Sequence, residues 1–66
     1  MEITVNGELH TVPETCTAQD LLEILDLRGG RLAMEINLEI LPRSNYPQHQ
    51  LRAGDRVEIV HAVGGG

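Results

Sequence analysis

The chain has 66 residues, 41% of them hydrophobic, and a formal net charge of -5 from ten acidic residues against five arginines and no lysine. That length is one domain, and a domain near it buries only about 60% of the surface its unfolded chain exposes, so there is little room for a core and an enclosed active site together. The acidic balance argues against nucleic acid as a partner and favours a basic protein surface. Phe and Trp are absent and there is one cysteine, Cys16, so the core is aliphatic and no internal disulfide staples it, which fits a reducing cytoplasm. No run of apolar residues is long enough to span a membrane, and the first residues lack the pattern of a secretory signal.

Residues 1–5 alternate, with Met1, Ile3 and Val5 on one face, which is strand periodicity. Asn6-Gly7 is a hairpin signal, since both residues tolerate positive φ in a type I′ turn. A two-residue turn pairs Val5 with Glu8, Ile3 with His10 and Met1 with Val12, which puts Val12 inward and Leu9 outward. Pro13 stops the second strand. Thr17 begins a helix of about ten residues, with Asp20 completing a capping box and Ala18, Leu21, Leu22 and Leu25 forming one apolar stripe. Gly29-Gly30 supplies the left-handed stop.

Leu32, Met34 and Ile36 alternate as a third strand. Residues 37–39 read as a turn, Ile40-Leu41 as a short fourth strand that Pro42 ends, and residues 43–47 as one helical turn or a loop with Leu51 anchored beneath. Residues 53–55 are a turn, and 56–63 form the last strand, followed only by glycine. The expected fold is α+β: a mixed four- or five-strand sheet with one main helix packed on one face, the first and last strands adjacent and parallel. The expected core is Ile3, Val5, Val12, Leu21, Leu22, Leu25, Met34, Ile36, Leu51, Val57 and Ile59. Residues 1–63 read as the domain and 64–66 as a flexible glycine tail.

Enzyme-like constellations are missing from this pattern. The sequence contains no nucleophile elbow, phosphate-binding loop or C-x-x-C pair. His10, His49 and His61 fall on a hairpin, a loop and a strand, a scatter that suits solvated or half-buried side chains rather than a metal site. Cys16 precedes the helix N-terminus, where the helix dipole lowers a thiol pKa; a lone turn cysteine is nonetheless read as structurally incidental. No catalytic residue and no metal ligand is assigned, and no bound cofactor is expected.

The tail carries the chemistry. Gly64-Gly65-Gly66 has no Cβ to obstruct an extended path through a narrow tunnel. At about 3.3–3.6 Å per residue, three glycines carry the terminal carboxylate roughly 10 Å beyond Val63. A carboxylate is a poor electrophile; ATP can convert one to an acyl-adenylate that a sulfur nucleophile attacks to give a thiocarboxylate, and Gly66 is the residue expected to be modified in this way. The last strand is apolar on both faces, with Val57 and Ile59 on one and Val60 and Ala62 on the other. Val60 and Ala62, with Ile40 or Leu41, are therefore expected to form an exposed partner surface. The alternative is that residues 43–49 fold over it.

The sequence resembles the ThiS family of sulfur carriers for the thiazole ring of thiamine. The resemblance runs through Ile3-Thr4-Val5-Asn6-Gly7-Glu8, Leu21-Leu22-Glu23, Glu35-Ile36-Asn37, Leu41-Pro42-Arg43-Ser44, residues 54–61 and Val63-Gly64-Gly65-Gly66. It implies a ubiquitin-like β-grasp fold and a role as protein co-substrate rather than enzyme. It also implies ATP-dependent adenylation by a ThiF-type enzyme, sulfur from a donor protein, and delivery to a thiazole synthase of the ThiG type. Three other readings share much of the pattern. The small subunit of molybdopterin synthase is usually longer and often has proline before its glycines, where this chain has Val60-His61-Ala62-Val63. A protein modifier joined to targets through Gly66 is a second reading, and a passive β-grasp binding module a third. A ferredoxin-like β-grasp is excluded, because an iron–sulfur cluster needs several thiolates.

Overall fold

The computed structural model describes residues 1–27 and 31–61. Strand β1 (Glu2–Val5) turns at Asn6-Gly7 into β2 (Glu8–Thr11), with Val5 opposite Glu8 and Ile3 opposite His10. Helix α1 (Ala18–Ile24) follows, then β3 (Leu32–Ile36), β4 (Glu39–Leu41), a 3-10 helix (Arg43–Gln48) and β5 (Arg56–His61). The five strands lie in the order β2-β1-β5-β3-β4. β5 is the middle strand, parallel to β1 and antiparallel to β3, and the other pairs are antiparallel hairpins. Among the described residues no helix is long and apolar enough to cross a membrane.

Each inward face follows the period of two. Ile3, Val5, Met34, Ile36, Val57 and Ile59 are buried beneath α1, whose Ala18, Leu21 and Leu22 close the core from above. Leu9 points outward, 65% exposed, as the hairpin register requires. The α1 N-terminus has its capping box: Thr17 Oγ1 accepts from the Asp20 N–H and an Asp20 carboxylate oxygen accepts from the Thr17 N–H, both at 3.1 Å.

The helix is shorter than the ten residues expected and does not stop at Gly29-Gly30, which lies outside the described residues. It ends in a Schellman arrangement. The Leu27 N–H donates to the Leu22 carbonyl (2.8 Å) and the Asp26 N–H to the Glu23 carbonyl (3.0 Å), with Asp26 in the left-handed region at φ 56°. Leu25 is consequently the C-cap residue and only partly buried, not the full core member that its place in the apolar stripe suggested.

Four buried hydrophobic residues among those described lie outside the expected core: Cys16, Ala18, Leu32 and Tyr46. Tyr46, the sole aromatic side chain, is carried by the 3-10 helix and is 3% exposed. The segment after it returns to the start of α1. The Leu51 N–H donates to the Cys16 carbonyl (3.0 Å) and the Ala18 N–H to the His49 carbonyl (2.9 Å), while Gln50 Nε2 donates to the Glu14 and Cys16 carbonyls at 2.9 and 3.2 Å. These bonds satisfy backbone groups on either side of the buried Cys16 and Leu51, which lets the core extend under two otherwise exposed loop segments.

Candidate functional site

β5 ends, among the described residues, at His61; Ala62, Gly64, Gly65 and Gly66, all singled out from the sequence, lie outside them. What the structure fixes is the base from which that segment departs. β5 has a strand on either side, and two asparagines clasp it. Asn6, at φ 50° in the β1–β2 turn, donates from Nδ2 to the Ile59 carbonyl (3.1 Å) and accepts at Oδ1 from the Ile59 N–H (2.8 Å). Asn37, at φ 52° in the β3–β4 turn, accepts at Oδ1 from the Arg56 N–H (3.0 Å) and donates from Nδ2 to the buried carboxylate of Asp55 (3.1 Å). Asp55 also accepts from the Arg52 N–H at 2.8 Å, which closes the turn leading into β5. The sequence marks both asparagines as turn formers; nothing in it signals the bonds their side chains make to a strand more than fifty or nearly twenty residues away.

The outward face of the sheet carries Val60 at 57% exposure and Ile40 at 76%. Leu41 is opposite Met34, on the core side, and is partly buried, so Ile40 is the β4 residue that shares the outer face with Val60. The two are not contiguous. Val60 is opposite Ala33, whereas Ile40 is opposite Glu35, and Glu35 in turn is opposite Glu58. Two carboxylates facing each other across an antiparallel pair cost stability. The face is thus apolar at Val60 and Ala33 with an acidic row beside it. The 3-10 helix does not cover this face: it contacts α1, on the other side of the sheet, and its Tyr46 enters the core.

The groups that carry chemistry in enzymes are dispersed. His10 and His49 are half-buried and His61 is exposed at the end of β5, and no three His, Cys, Asp or Glu side chains converge on a metal-sized site among the described residues. Cys16 is 1% exposed and its Sγ donates to the Thr17 carbonyl (3.4 Å). Burial pushes its thiol pKa up, and the neighbouring Asp20 carboxylate adds to the rise, so the dipole-lowered thiolate considered from the sequence is overridden. An open groove of ≈ 680 Å³ between α1 and the 3-10 helix is lined by Leu22, Leu27, Leu32 and Tyr46 with Gln19, Glu23 and Arg43, and holds no nucleophile–base pair.

A five-strand mixed sheet with a parallel first and last strand and one main helix across it is a ubiquitin-like β-grasp. The crystal structure of a ThiS thiamine biosynthesis protein from Geobacter metallireducens superposes with a TM-score of 0.86 at 33% identity, covering all of both chains. The family model described as "ThiS family" matches residues 2–66, and this chain belongs to that family. The sulfur carrier protein ThiS of Bacillus subtilis is 42% identical over 65 residues, 97% of this chain and 98% of that one. A thiazole synthase of Paramagnetospirillum magneticum is 39% identical over all 66 residues, yet this chain spans only 20% of its length.

Proposed function

We propose that this chain is a sulfur carrier for the thiazole ring of thiamine, a protein co-substrate that does no catalysis itself. The Gly66 carboxylate attacks the α-phosphate of ATP in the site of a ThiF-type enzyme, releasing pyrophosphate and leaving an acyl-adenylate. Sulfide-level sulfur (HS⁻) supplied by a donor protein then attacks the acyl carbon, the C–S bond forming as the bond to AMP breaks, and the resulting thiocarboxylate is consumed by a thiazole synthase. The observation that carries this reading is the placement of β5: the middle strand of the sheet, clasped on both edges, is the last described element before Gly64-Gly65-Gly66 in sequence, in a chain that matches its family through residue 66. A thiazole synthase that contains a like segment within its own chain supports delivery to that class of enzyme. The acidic row beside Val60 and the net charge of -5 suit a basic docking surface, and Val60, Ile40 and Ala62 are its proposed contacts.

The test uses a ThiF-type enzyme, ATP and a sulfur source, with pyrophosphate release and intact mass as readouts. Gly65→Ala adds a Cβ to the narrow leash and should slow adenylation severely while leaving stability within about 0.5 kcal/mol. A chain extended by one residue past Gly66 should acquire no sulfur at its end. Normal sulfur loading of the extended chain would show that Gly66 is not the acceptor.

A further inference from the structure

The β1–β5 ladder stops before β5 does. Thr4 is opposite Arg56 and Val5 opposite Val57, and the Thr4 and Asn6 N–H groups donate to the Asp55 and Val57 carbonyls at 3.0 and 2.9 Å. The odd-numbered residues of β5 therefore turn their backbone polar groups towards β1. Ile59 is the next in that series, but by then the chain has turned away at Asn6-Gly7 into β2. The Asn6 side chain fills the gap. A carboxamide has the donor and acceptor of a peptide group, and Asn6 uses both on Ile59. On the opposite edge β3 continues alongside, with Ala33 opposite Val60 and Leu32 opposite His61. Ile59 is thus the last residue of β5 held from both edges among the described residues.

We propose that Asn6 is a positioning residue for the C-terminal reaction: by clasping Ile59 it fixes the direction in which β5 leaves the sheet, and so aims the segment that carries Gly66. This rests on the sulfur-carrier reading. Without the clasp, two-sided support retreats to Val57, and the last turns of the strand are held by β3 alone. A strand end held on one edge only widens the region from which the tail must find the reaction centre, and a misplacement of about 1 Å at a reacting group can cost on the order of 100-fold in rate. The turn itself does not require the carboxamide, because Gly and Asp also serve in type I′ turns. Turn formation and clasping are therefore separable by substitution.

Asn6→Gly keeps the turn and deletes both bonds. Asn6→Asp keeps the turn and the acceptor for the Ile59 N–H but places a carboxylate oxygen against the Ile59 carbonyl. Each full-length variant is assayed for ATP–pyrophosphate exchange with a ThiF-type enzyme, and Ile59 amide exchange is followed by NMR below the unfolding transition. Positioning predicts a faster-exchanging Ile59 amide, a kcat lower by at least about tenfold, and a KM for the carrier within about threefold of the wild type. Wild-type kcat despite a freed Ile59 amide overturns the proposal, since the turn alone would then suffice. A raised KM at unchanged kcat also overturns it, by placing Asn6 in the docking surface instead. If the wild-type chain supports no exchange at all, the sulfur-carrier reading falls, and the positioning role falls with it.

Discussion

The two hairpin turns of this domain offer a controlled comparison of one backbone conformation with two different residues. Asn6-Gly7 has φ of 50° and 87°; Asn37-Leu38 has φ of 52° and 71°. Both are two-residue connections, between Val5 and Glu8 in one and Ile36 and Glu39 in the other. Leu38 is therefore a Cβ-bearing residue where the first turn has glycine. The left-handed conformation costs an L-residue roughly 1–2 kcal/mol. Glycine avoids that cost but gives back about 0.4–1 kcal/mol through its greater freedom in the unfolded chain. Leu38→Gly should therefore be more stable than Leu38→Ala by about 0.5–1 kcal/mol, the reverse of the order at an ordinary strand site. The comparison with alanine cancels whatever the 71% exposed leucine side chain contributes. Relative to the wild type, Leu38→Gly should be neutral or stabilising. For a domain of this size the gap between the two variants corresponds to about 2–8 °C in Tm. Urea titrations followed by circular dichroism, with equal m-values, measure it. If Leu38→Ala proves the more stable of the two, the positive-φ assignment at this turn is wrong.

Leu51→Ala, at a site 1% exposed, should cost about 2–5 kcal/mol, a large part of the 5–15 kcal/mol typical of a domain. Leu25→Ala should cost clearly less, because Leu25 is a partly buried C-cap residue; denaturant midpoints rank the two. Val60→Asp should leave the circular dichroism spectrum unchanged and impair activation by a ThiF-type enzyme, whereas loss of folding would place Val60 in the core. Cys16 should label slowly with a thiol reagent in the native state and fast in urea. Its folded pKa is raised above the ordinary 9.0, chiefly by burial, so its contribution to stability is present below that pH and is lost as pH rises through the folded value. Cys16→Ala should flatten that alkaline decline.

Most of the sheet was legible because period-two alternation and an Asn-Gly turn together set both face and register. Ile3, Val5, Met34, Ile36, Val57 and Ile59 are inward as the alternation dictates, and Leu9 is outward because a two-residue turn leaves it no other choice. The helix start was legible in Thr17 and Asp20. Its end was not, because Gly29-Gly30 is the stronger stop signal in sequence, while Asp26 takes the left-handed position three residues earlier. Cys16 lies in a turn and Tyr46 in a short 3-10 helix, neither with a period to read; the first is beside the long-range pairing of residues 49–51 with 16–18, and the second is carried by a helix that packs on α1. Val60 was legible as an outward residue from strand alternation, whereas the choice between Ile40 and Leu41 was settled only by the β3–β4 register. The acidic row beside them was not, since Glu35 and Glu58 become neighbours only through the β3–β5 register. The Asn6 clasp was hidden for the same reason, its partner Ile59 being 53 residues away.

Intact-mass spectrometry of the protein isolated from its native cell, with fragmentation to locate the change, bears most directly on the central claim. A sulfur carrier should include a fraction in which one oxygen is replaced by sulfur, with the replacement confined to the carboxyl group of Gly66. Cells grown with an active thiamine demand should yield that species, and a strain lacking the adenylating enzyme should yield only the carboxylate. A chain that stays wholly unmodified in both, or carries its sulfur elsewhere than at Gly66, would contradict the account.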